Sequence, residues 1–326
     1  MSVIEVEDLS RRYGNLIAVQ GVSFAVEPGE IFGFLGPNGA GKTSTIHMLC
    51  TLLKPTSGRA SVGGHDVVQD RASVRRSIGL VFQESSLDEQ LTARENLRFH
   101  AMLYGLSRSE FRRRAETLLE LVELTDRADS LVETFSGGMK RRLEVARGLV
   151  HRPKVLFLDE PTLGLDPQTR RLIWEHLRRL RESEGVTVFM TTHYMDEAET
   201  CDRVAVIDHG QIVAIDTPKA LKDQVGGDVV AAFTSDNETA LAKLEAVDHL
   251  QPRLGPDQQV ILEVEGGEAF VPKLVSILSS GPDPVDVQSI SLRRPTLEDV
   301  FVKLTGRAIR DPGEGSEPIP PRRRRH

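Results

Sequence analysis

The stretch Gly36-Pro-Asn-Gly-Ala-Gly-Lys-Thr-Ser44 decides the fold of this 326-residue chain. It follows an apolar run, Ile31–Leu35, and precedes a helix-like pattern over residues 42–53. Glycines let backbone N–H groups converge on one point, and the first turn of the following helix adds partial positive charge. A strand, a G-x-x-x-x-G-K-T loop and a helix in this order predict a nucleotide-phosphate site in an α/β protein.

Each residue of this loop is a candidate phosphate contact. Lys42 is expected to reach the β- and γ-phosphates, and the Thr43 hydroxyl is expected to bind Mg²⁺. The predicted ATP contacts in the loop are Gly36, Pro37, Asn38, Gly39, Ala40, Gly41, Lys42, Thr43 and Ser44.

Composition and charge narrow the class of protein. The chain is 39% hydrophobic and 27% charged, which is ordinary for a globular protein with a full core. A formal net charge of −7 argues against a nucleic-acid partner, since dedicated nucleic-acid binders carry a basic domain. No apolar run approaches the roughly 18 residues that cross a bilayer. The first ten residues, MSVIEVEDLS, do not resemble a signal peptide, so a cytoplasmic location is expected.

The order of patterns predicts a layered α/β domain over residues 1–227. Residues 3–9 and 19–26 alternate apolar and polar side chains, which favours an antiparallel layer before the phosphate loop. Residues 92–126 are charged and helical in spacing, which suggests a helical subdomain inserted at about 84–150. Buried-type strands at 155–158 and 186–190 alternate with helices, as in a mostly parallel sheet.

A second domain is predicted at 228–305. Strand-like and helix-like segments follow each other there, and a strand near residues 251–254 would complete a βαββαβ unit of ferredoxin-like type. Residues 306–326 are rich in proline, glycine and charge and end in four arginines and a histidine, so a disordered tail is expected. Those arginines would either be solvated or touch anionic lipid.

A second motif places acidic residues beside the phosphate loop. The apolar run at 155–158 ends in Asp159 and Glu160. A carboxylate at the end of a buried strand next to a phosphate loop is placed to hold Mg²⁺, which is the role predicted for Asp159. Glu160 lies one residue further, and it could orient and deprotonate the attacking water.

A third motif is a second anion-binding helix start. Ser136, Gly137 and Gly138 precede a helix over residues 140–150 and form another nest of backbone N–H groups. One nucleotide does not need two such nests from distant parts of one chain. The simplest use is in trans, with the nest of one subunit closing over the ATP that another subunit holds.

With these motifs in order, residues 3–227 resemble the ATP-binding subunit of an ABC transporter. The resemblance implies the family fold: a P-loop NTPase core with an antiparallel β layer and an inserted helical subdomain, here followed by a small α+β domain. It also implies two ligands, ATP and Mg²⁺. It implies the following roles: Tyr13 stacks on adenine, Gln83 of the Q-loop contacts Mg²⁺ and the water, Ser136–Gly138 are the signature motif, Asp159 and Glu160 are the Walker B aspartate and catalytic glutamate, Asp166 belongs to the D-loop, and His193 is the switch histidine.

One position departs from the commoner pattern. The signature reads FSGGM, so Met139 stands where a glutamine is usual, and the ribose-side contact of that amide is lost. The phosphate-facing Ser136 and Gly138 are present, so hydrolysis is still expected. Because Glu160 and His193 are both present, a homodimer would have two competent sites.

The carboxyl-terminal run Arg294-Pro-Thr-Leu-Glu-Asp-Val-Phe-Val-Lys-Leu-Thr-Gly306 resembles the daunorubicin/doxorubicin-resistance subfamily of drug-export ATPases. This resemblance implies efflux of a drug or other hydrophobic compound through separately encoded membrane permease subunits, with the ATPase peripheral on the cytoplasmic side of the cell membrane. Export of sodium, lipid, polysaccharide or peptide is the alternative. A non-transport ABC ATPase is a further one, although such proteins carry coiled coils, zinc cysteines or two cassettes.

Overall fold

The computed structural model describes residues 2–224, 226–247, 249–255, 258–281 and 283–306. The chain forms two compact units, and the division falls between Ala214 and Ile215. The predicted tail at 306–326 lies outside the described residues, apart from Gly306. Within the described ranges, none of the helices combines the length and apolar character needed to traverse a lipid bilayer.

The first unit begins with an antiparallel sheet, as the alternating patterns predicted. Its strands are β1 (Ile4–Tyr13), β2 (Leu16–Val26), β4 (Ser57–Val62) and the short β5 (His65–Asp66), in the order β2-β1-β4-β5. Every side chain of strand β3 (Ile31–Leu35), which follows β2, is buried. A helix, α2 (Arg71–Ser77), follows this sheet, and the sequence had not predicted it.

The second sheet forms the centre of the first unit. It contains β3, β6 (Ile78–Val81), β7 (Val155–Asp159), β8 (Thr187–Thr192), β9 (Arg203–Asp208) and β10 (Gln211–Asp216), in the order β10-β9-β3-β8-β7-β6. The pairs from β9 to β6 are parallel, in agreement with the predicted alternation of strands and helices. In a parallel sheet the carboxyl ends of neighbouring strands meet at one edge, which here brings together the ends of β3, β7 and β8.

Aromatic side chains join the two sheets. Phe24 of β2 lies 5.6 Å from Phe32 of β3 and 5.9 Å from Phe189 of β8, measured between ring centroids. Phe157 of β7 lies 5.4 Å from Phe189. Burying these rings removes a large apolar area from water and fixes the antiparallel layer on the parallel sheet.

Besides α2, the helices of the first unit are α1 (Lys42–Leu49), α3 (Ala93–Leu103), α4 (Arg108–Leu121), α5 (Gly137–Gly148), α6 (Pro167–Glu184) and the short α7 (Met195–Ala198). A side chain caps the start of α3, α4, α5 and α6, whereas none caps α1 or α7. Thr92 and Glu95 form the capping box that the sequence predicted for α3. Helix α1 ends four residues earlier than the predicted pattern, because the backbone at Thr51 is left-handed, with φ of 62°.

The second unit contains a four-stranded antiparallel sheet. Its elements are α8 (Pro218–Asp223), β11 (Asp228–Thr234), α9 (Asn237–Glu245), β12 (Arg253–Leu254), β13 (Val260–Val264), α10 (Gly267–Ser279), β14 (Val287–Arg293) and α11 (Leu297–Thr305). The order β12-β13-β11-β14 is that of the predicted βαββαβ arrangement. The core between sheet and helices includes Val230, Leu244, Leu262 and Leu274.

The predicted domain boundary at residue 227 differs from the observed one. Helix α8 packs against α11 and therefore belongs to the second unit. Leu221 of α8 and Phe301 of α11 are buried, and Lys303 Nζ donates a hydrogen bond to the Gln224 carbonyl oxygen at 3.1 Å. Helix α8 ends at Asp223, before the glycines at 226 and 227 that were expected to stop it, and neither position is where the two units divide.

Candidate nucleotide-binding site

The phosphate loop connects β3 to α1, and its glycines are required by a left-handed backbone or by close backbone approach. Gly39 and Gly41 have φ of 81° and 106°, which a side chain disfavours. A Cβ at Gly36 would lie 2.3 Å from the Ile207 carbonyl oxygen, and one at Gly41 would lie 2.5 Å from the Ala18 carbonyl oxygen. The loop is thus folded tightly between β2 and β9, with α1 starting at its end.

Lys42 is held inside this loop. Its side chain is buried, and its Nζ donates to the carbonyl oxygens of Gly36 at 2.8 Å and Pro37 at 3.2 Å. The same Nζ lies 3.1 Å from Glu160 Oε1. A buried ammonium group that is paired with a carboxylate at this position can exchange that partner for an anionic phosphate.

Oxygen atoms suited to a magnesium ion meet at the end of β7. Thr43 Oγ1 lies 3.4 Å from Asp159 Oδ1, to which Thr191 Oγ1 donates at 2.6 Å. A hydroxyl and a carboxylate are the hard oxygen ligands that Mg²⁺ prefers, and the ion usually completes its shell with phosphates and water. The donor set at Thr43 and Asp159 therefore fits the ion.

Glu160 and His193, hereafter called the catalytic pair after the role predicted for them, lie next to each other at the ends of two neighbouring strands. His193 Nδ1 lies 3.4 Å from Glu160 Oε2. Glu160 has a positive φ of 46°, and its backbone N–H donates to Thr191 Oγ1 at 3.0 Å. Burial opposes ionisation of Glu160, but the hydrogen bond with His193 and the charge of Lys42 outweigh it and lower the pKa of this carboxyl. Glu160 is consequently a carboxylate that can accept a proton.

These groups surround an open cavity of about 630 Å³. Of the predicted site residues, those that line it are Tyr13, Asn38, Gly39, Gly41, Lys42, Thr43, Ser44, Gln83 and Glu160. Tyr13 is 43% exposed at its rim, with the Arg11 guanidinium 4.5 Å above its ring. Asp159 and His193 lie behind this lining, both almost fully buried.

The structure does not place the signature motif or Asp166 among the residues that line this cavity. Ser136 caps α5, where its Oγ accepts a hydrogen bond from the Met139 N–H at 3.3 Å. Asp166 caps α6 by accepting from the N–H groups of Gln168 and Thr169, both at 3.0 Å. Their predicted contacts with ATP are therefore not made by the lining of this cavity.

Sequence reasoning missed the role of Arg141, one turn into α5. This buried guanidinium donates to the carbonyl oxygens of Phe82 and Pro161, the latter at 2.6 Å, and to Glu144 Oε2 at 2.9 Å. Glu144 in turn accepts from the Ser86 N–H at 2.9 Å. The helix of the signature motif is thus tied to the segment around Gln83 and to the turn after Glu160. The only sequence signal for this role of Arg141 is its i,i+3 spacing from Glu144 on the buried side of α5.

Comparison with known proteins gives concordant matches. The ABC transporter family model matches residues 19–163. The linearmycin resistance ATP-binding protein LnrL of Bacillus subtilis is 39% identical over 314 residues, covering 95% of this chain and 100% of that protein. The daunorubicin/doxorubicin resistance ATP-binding protein DrrA of Streptomyces peucetius is 40% identical over 313 residues, covering 94% of both chains.

Two further matches concern another exported compound and a solved structure. The Nod factor export ATP-binding protein I of Burkholderia thailandensis is 40% identical over 317 residues, covering 94% of this chain and 98% of that protein. A dimeric structure of the ATP-binding cassette MJ0796, bound to ADP and Pi, is 28% identical with a TM-score of 0.59; the match covers 66% of this chain and 98% of that one.

Proposed function

The chain belongs to the family of ABC transporter ATP-binding proteins and hydrolyses ATP, and on this premise we propose that it powers export of a drug or other hydrophobic compound through separate membrane subunits. The observation that carries the proposal is the near full-length likeness to two antibiotic-resistance ATP-binding proteins, which extends through the second unit. The expected likeness to the drug-export subfamily is thereby confirmed.

In the proposed mechanism the catalytic pair acts on water at the γ-phosphate. Glu160 takes a proton from the attacking water, while Lys42 and His193 stabilise the negative charge that develops on the phosphoryl oxygens. Asp159 and Thr43, with Gln83, would hold Mg²⁺, which neutralises phosphate charge when bound. Tyr13 would stack on the adenine ring.

The working unit of the proposal is a homodimer. Ser136–Gly138 do not line the cavity that contains Lys42. The signature motif can still contact ATP if it covers the nucleotide that the partner subunit holds. Ser136 and Gly137 are exposed at the start of α5, and Asp166 is exposed at the start of α6, where a partner's nucleotide can reach them. The dimeric structure of a related cassette supports this arrangement.

The membrane subunit would contact a groove next to Gln83. This cavity of about 480 Å³ lies between the central sheet and α3, and it is lined by apolar side chains that include Leu52, Phe99 and Leu103. Phe99 and Leu103 are 61% and 67% exposed. Apolar side chains left in water at helical spacing mark a surface for another protein. The chain would then lie on the cytoplasmic face of the membrane.

Export of a lipid or saccharide is the second candidate function. The likeness to a Nod factor export protein has the same extent as the likeness to the resistance proteins, so identity alone does not decide between them. In either case the exported compound would contact the membrane subunits rather than this chain.

The test is resistance of a sensitive host that expresses this chain with its membrane subunits. We expect the minimal inhibitory concentration of daunorubicin, doxorubicin or linearmycin to rise several-fold, and to return to the host level with Lys42→Ala, because that variant cannot hold the phosphates. If the complex hydrolyses ATP but the minimal inhibitory concentration rises for none of the tested antibiotics, drug export is excluded.

A further inference from the structure

A buried carboxylate links the two segments that carry the catalytic pair. Glu197 of α7 is 2% exposed. Its Oε2 accepts a hydrogen bond from Thr192 Oγ1 at 2.6 Å, and its Oε1 accepts one from Thr162 Oγ1. Neither threonine nor Glu197 was singled out by the sequence motifs.

The two threonines come from different strand ends. Thr162 lies in the turn after β7, two residues beyond Glu160, and Thr192 is the last residue of β8, directly before His193. Thr192 Oγ1 also accepts the Tyr194 N–H at 2.9 Å, so its proton is committed to Glu197. The carboxylate therefore fixes the chain on both sides of the catalytic pair. Thr162, Thr192 and Glu197 are called the carboxylate clamp below.

A second contact joins the same two segments. Arg170 Nε donates to the Leu165 carbonyl oxygen at 3.0 Å, and the Arg170 guanidinium lies 4.0 Å above the Tyr194 ring. The Tyr194 ring packs against His193 with centroids 4.0 Å apart. Because the turn after β7 and the turn after β8 are joined twice, a shift of one is transmitted to the other.

We propose that Glu197 is a positioning residue, which keeps the catalytic pair in register through the two threonines of the carboxylate clamp. The proposal rests on the function proposed above, since it assumes that Glu160 and His193 act on the γ-phosphate. Glu197 itself is almost fully buried and does not line the open cavity.

The clamp is strongest when Glu197 is ionised, because only the carboxylate accepts from both hydroxyls with charge assistance. Burial raises the pKa of Glu197 to about 7. The other ionisable groups that face it are Asp196 on α7, Arg170 on α6, His193 after β8 and the buried Cys201 thiol. Glu197 is thus only partly ionised near neutral pH, and its ionised fraction grows as the pH rises.

The experiment compares steady-state ATP hydrolysis by Thr162→Val, Glu197→Ala and Glu197→Gln in the full chain. We expect kcat to fall about 10- to 100-fold for Thr162→Val and Glu197→Ala, with KM for ATP within about 3-fold of wild type, because misplacing catalytic groups by a fraction of an ångström impairs chemistry more than binding. Thr200→Val is the matched control: it removes a hydroxyl that bonds the Glu197 carbonyl oxygen without reaching the β7 segment.

A pH profile separates positioning from a merely structural role. The wild-type kcat is expected to rise through about pH 7 as Glu197 ionises, and Glu197→Gln should lack that rise, while titration of other groups affects both proteins alike. Superimposable profiles, or wild-type kcat in Thr162→Val, would overturn the proposal. If Glu197→Ala fails to fold, the kcat of Thr162→Val and the pH profile of Glu197→Gln still test the proposal.

Glu160→Gln, measured in parallel, distinguishes failure of the proposed function from failure of the carboxylate clamp. If Glu160→Gln hydrolyses ATP at the wild-type rate, Glu160 is not the catalytic base, and the proposal that Glu197 positions it fails as well. If Glu160→Gln is inactive while Thr162→Val and Glu197→Ala have wild-type kcat, only the clamp is wrong.

Discussion

At the scale of single residues, charge pairing prepares the site for its ligand. Lys42 and Glu160 form a buried ion pair at 3.1 Å. Lys42 is expected to contact phosphate, and Glu160 is expected to contact the attacking water. An uncompensated charge in such a place would cost several kcal/mol, so each group stabilises the other until nucleotide arrives. The lowered pKa of Glu160 keeps it ionised at neutral pH, as a general base requires.

The residue-scale prediction is that Glu160→Gln separates binding from hydrolysis. Without a proton acceptor, kcat should fall roughly 10²- to 10⁴-fold, while ATP still binds because the loop and Lys42 remain. Turnover and binding of a fluorescent ATP analogue would be measured on the same preparation. Lys42→Ala is the contrasting variant, since it should weaken binding itself. A Glu160→Gln protein with wild-type turnover would remove Glu160 from the mechanism.

At the scale of elements, α5 connects the signature motif to the catalytic strand ends. Arg141 donates to carbonyl oxygens in the segments that follow β6 and β7, and Glu144 accepts from the segment near Gln83. A movement of α5 must therefore displace the turn after Glu160 or break these bonds. In the dimeric mechanism proposed above, this helix is the element through which a partner's nucleotide or a membrane subunit would act on the turn after Glu160.

The element-scale prediction concerns stability. Arg141→Met should destabilise the first unit by about 3–5 kcal/mol, because it leaves Glu144 and several carbonyl oxygens buried without their donor. Denaturant unfolding followed by the fluorescence of Trp174, which lies in the first unit, would measure the change. Lys140→Met is the matched control on the same helix. Its pairing with the exposed Glu89 is worth at most about 1 kcal/mol. Equal effects of the two variants would contradict the role of Arg141.

At the scale of the whole molecule, one chain presents half of each proposed ATP site. The phosphate loop and catalytic pair line one cavity, whereas Ser136 and Asp166 are exposed at helix starts outside its lining. Assembly is then part of catalysis, because neither half encloses the nucleotide alone. The second unit has its own core and could add a permanent contact between subunits.

The whole-molecule prediction is that Glu160→Gln dimerises when Mg²⁺ and ATP are added. Slow hydrolysis should trap the closed form, and light scattering would report a doubling of mass. Glu160→Gln combined with Ser136→Arg is the control, which should remain monomeric because the arginine fills the nest. A protein that stays monomeric with ATP bound would contradict the trans arrangement for the isolated subunit. A dimer without ATP would assign assembly to the second unit.

The sequence by itself determined most of the order of strands and helices, with α2 as an exception, together with the phosphate loop and the positions of the candidate chemical groups along the chain. These follow from local rules: glycine spacing, helix caps such as Thr92 and Asp166, and apolar periodicity. Local rules also found the βαββαβ order of the second unit. They placed its boundary too late, since membership of α8 depends on packing against α11, which lies far along the chain.

Only the tertiary structure decided which groups meet. The hydrogen bond from Thr162 to Glu197 spans 35 residues, and that from Thr43 to Asp159 spans 116. Such pairs carry no periodic signal, because their distance is set by strand order in the sheet and not by spacing along the chain. For the same reason the sequence motifs did not identify the roles of Arg141 and Glu197. The role of a buried charged side chain follows from the groups that it contacts, and Arg141 and Glu197 both contact groups from other elements.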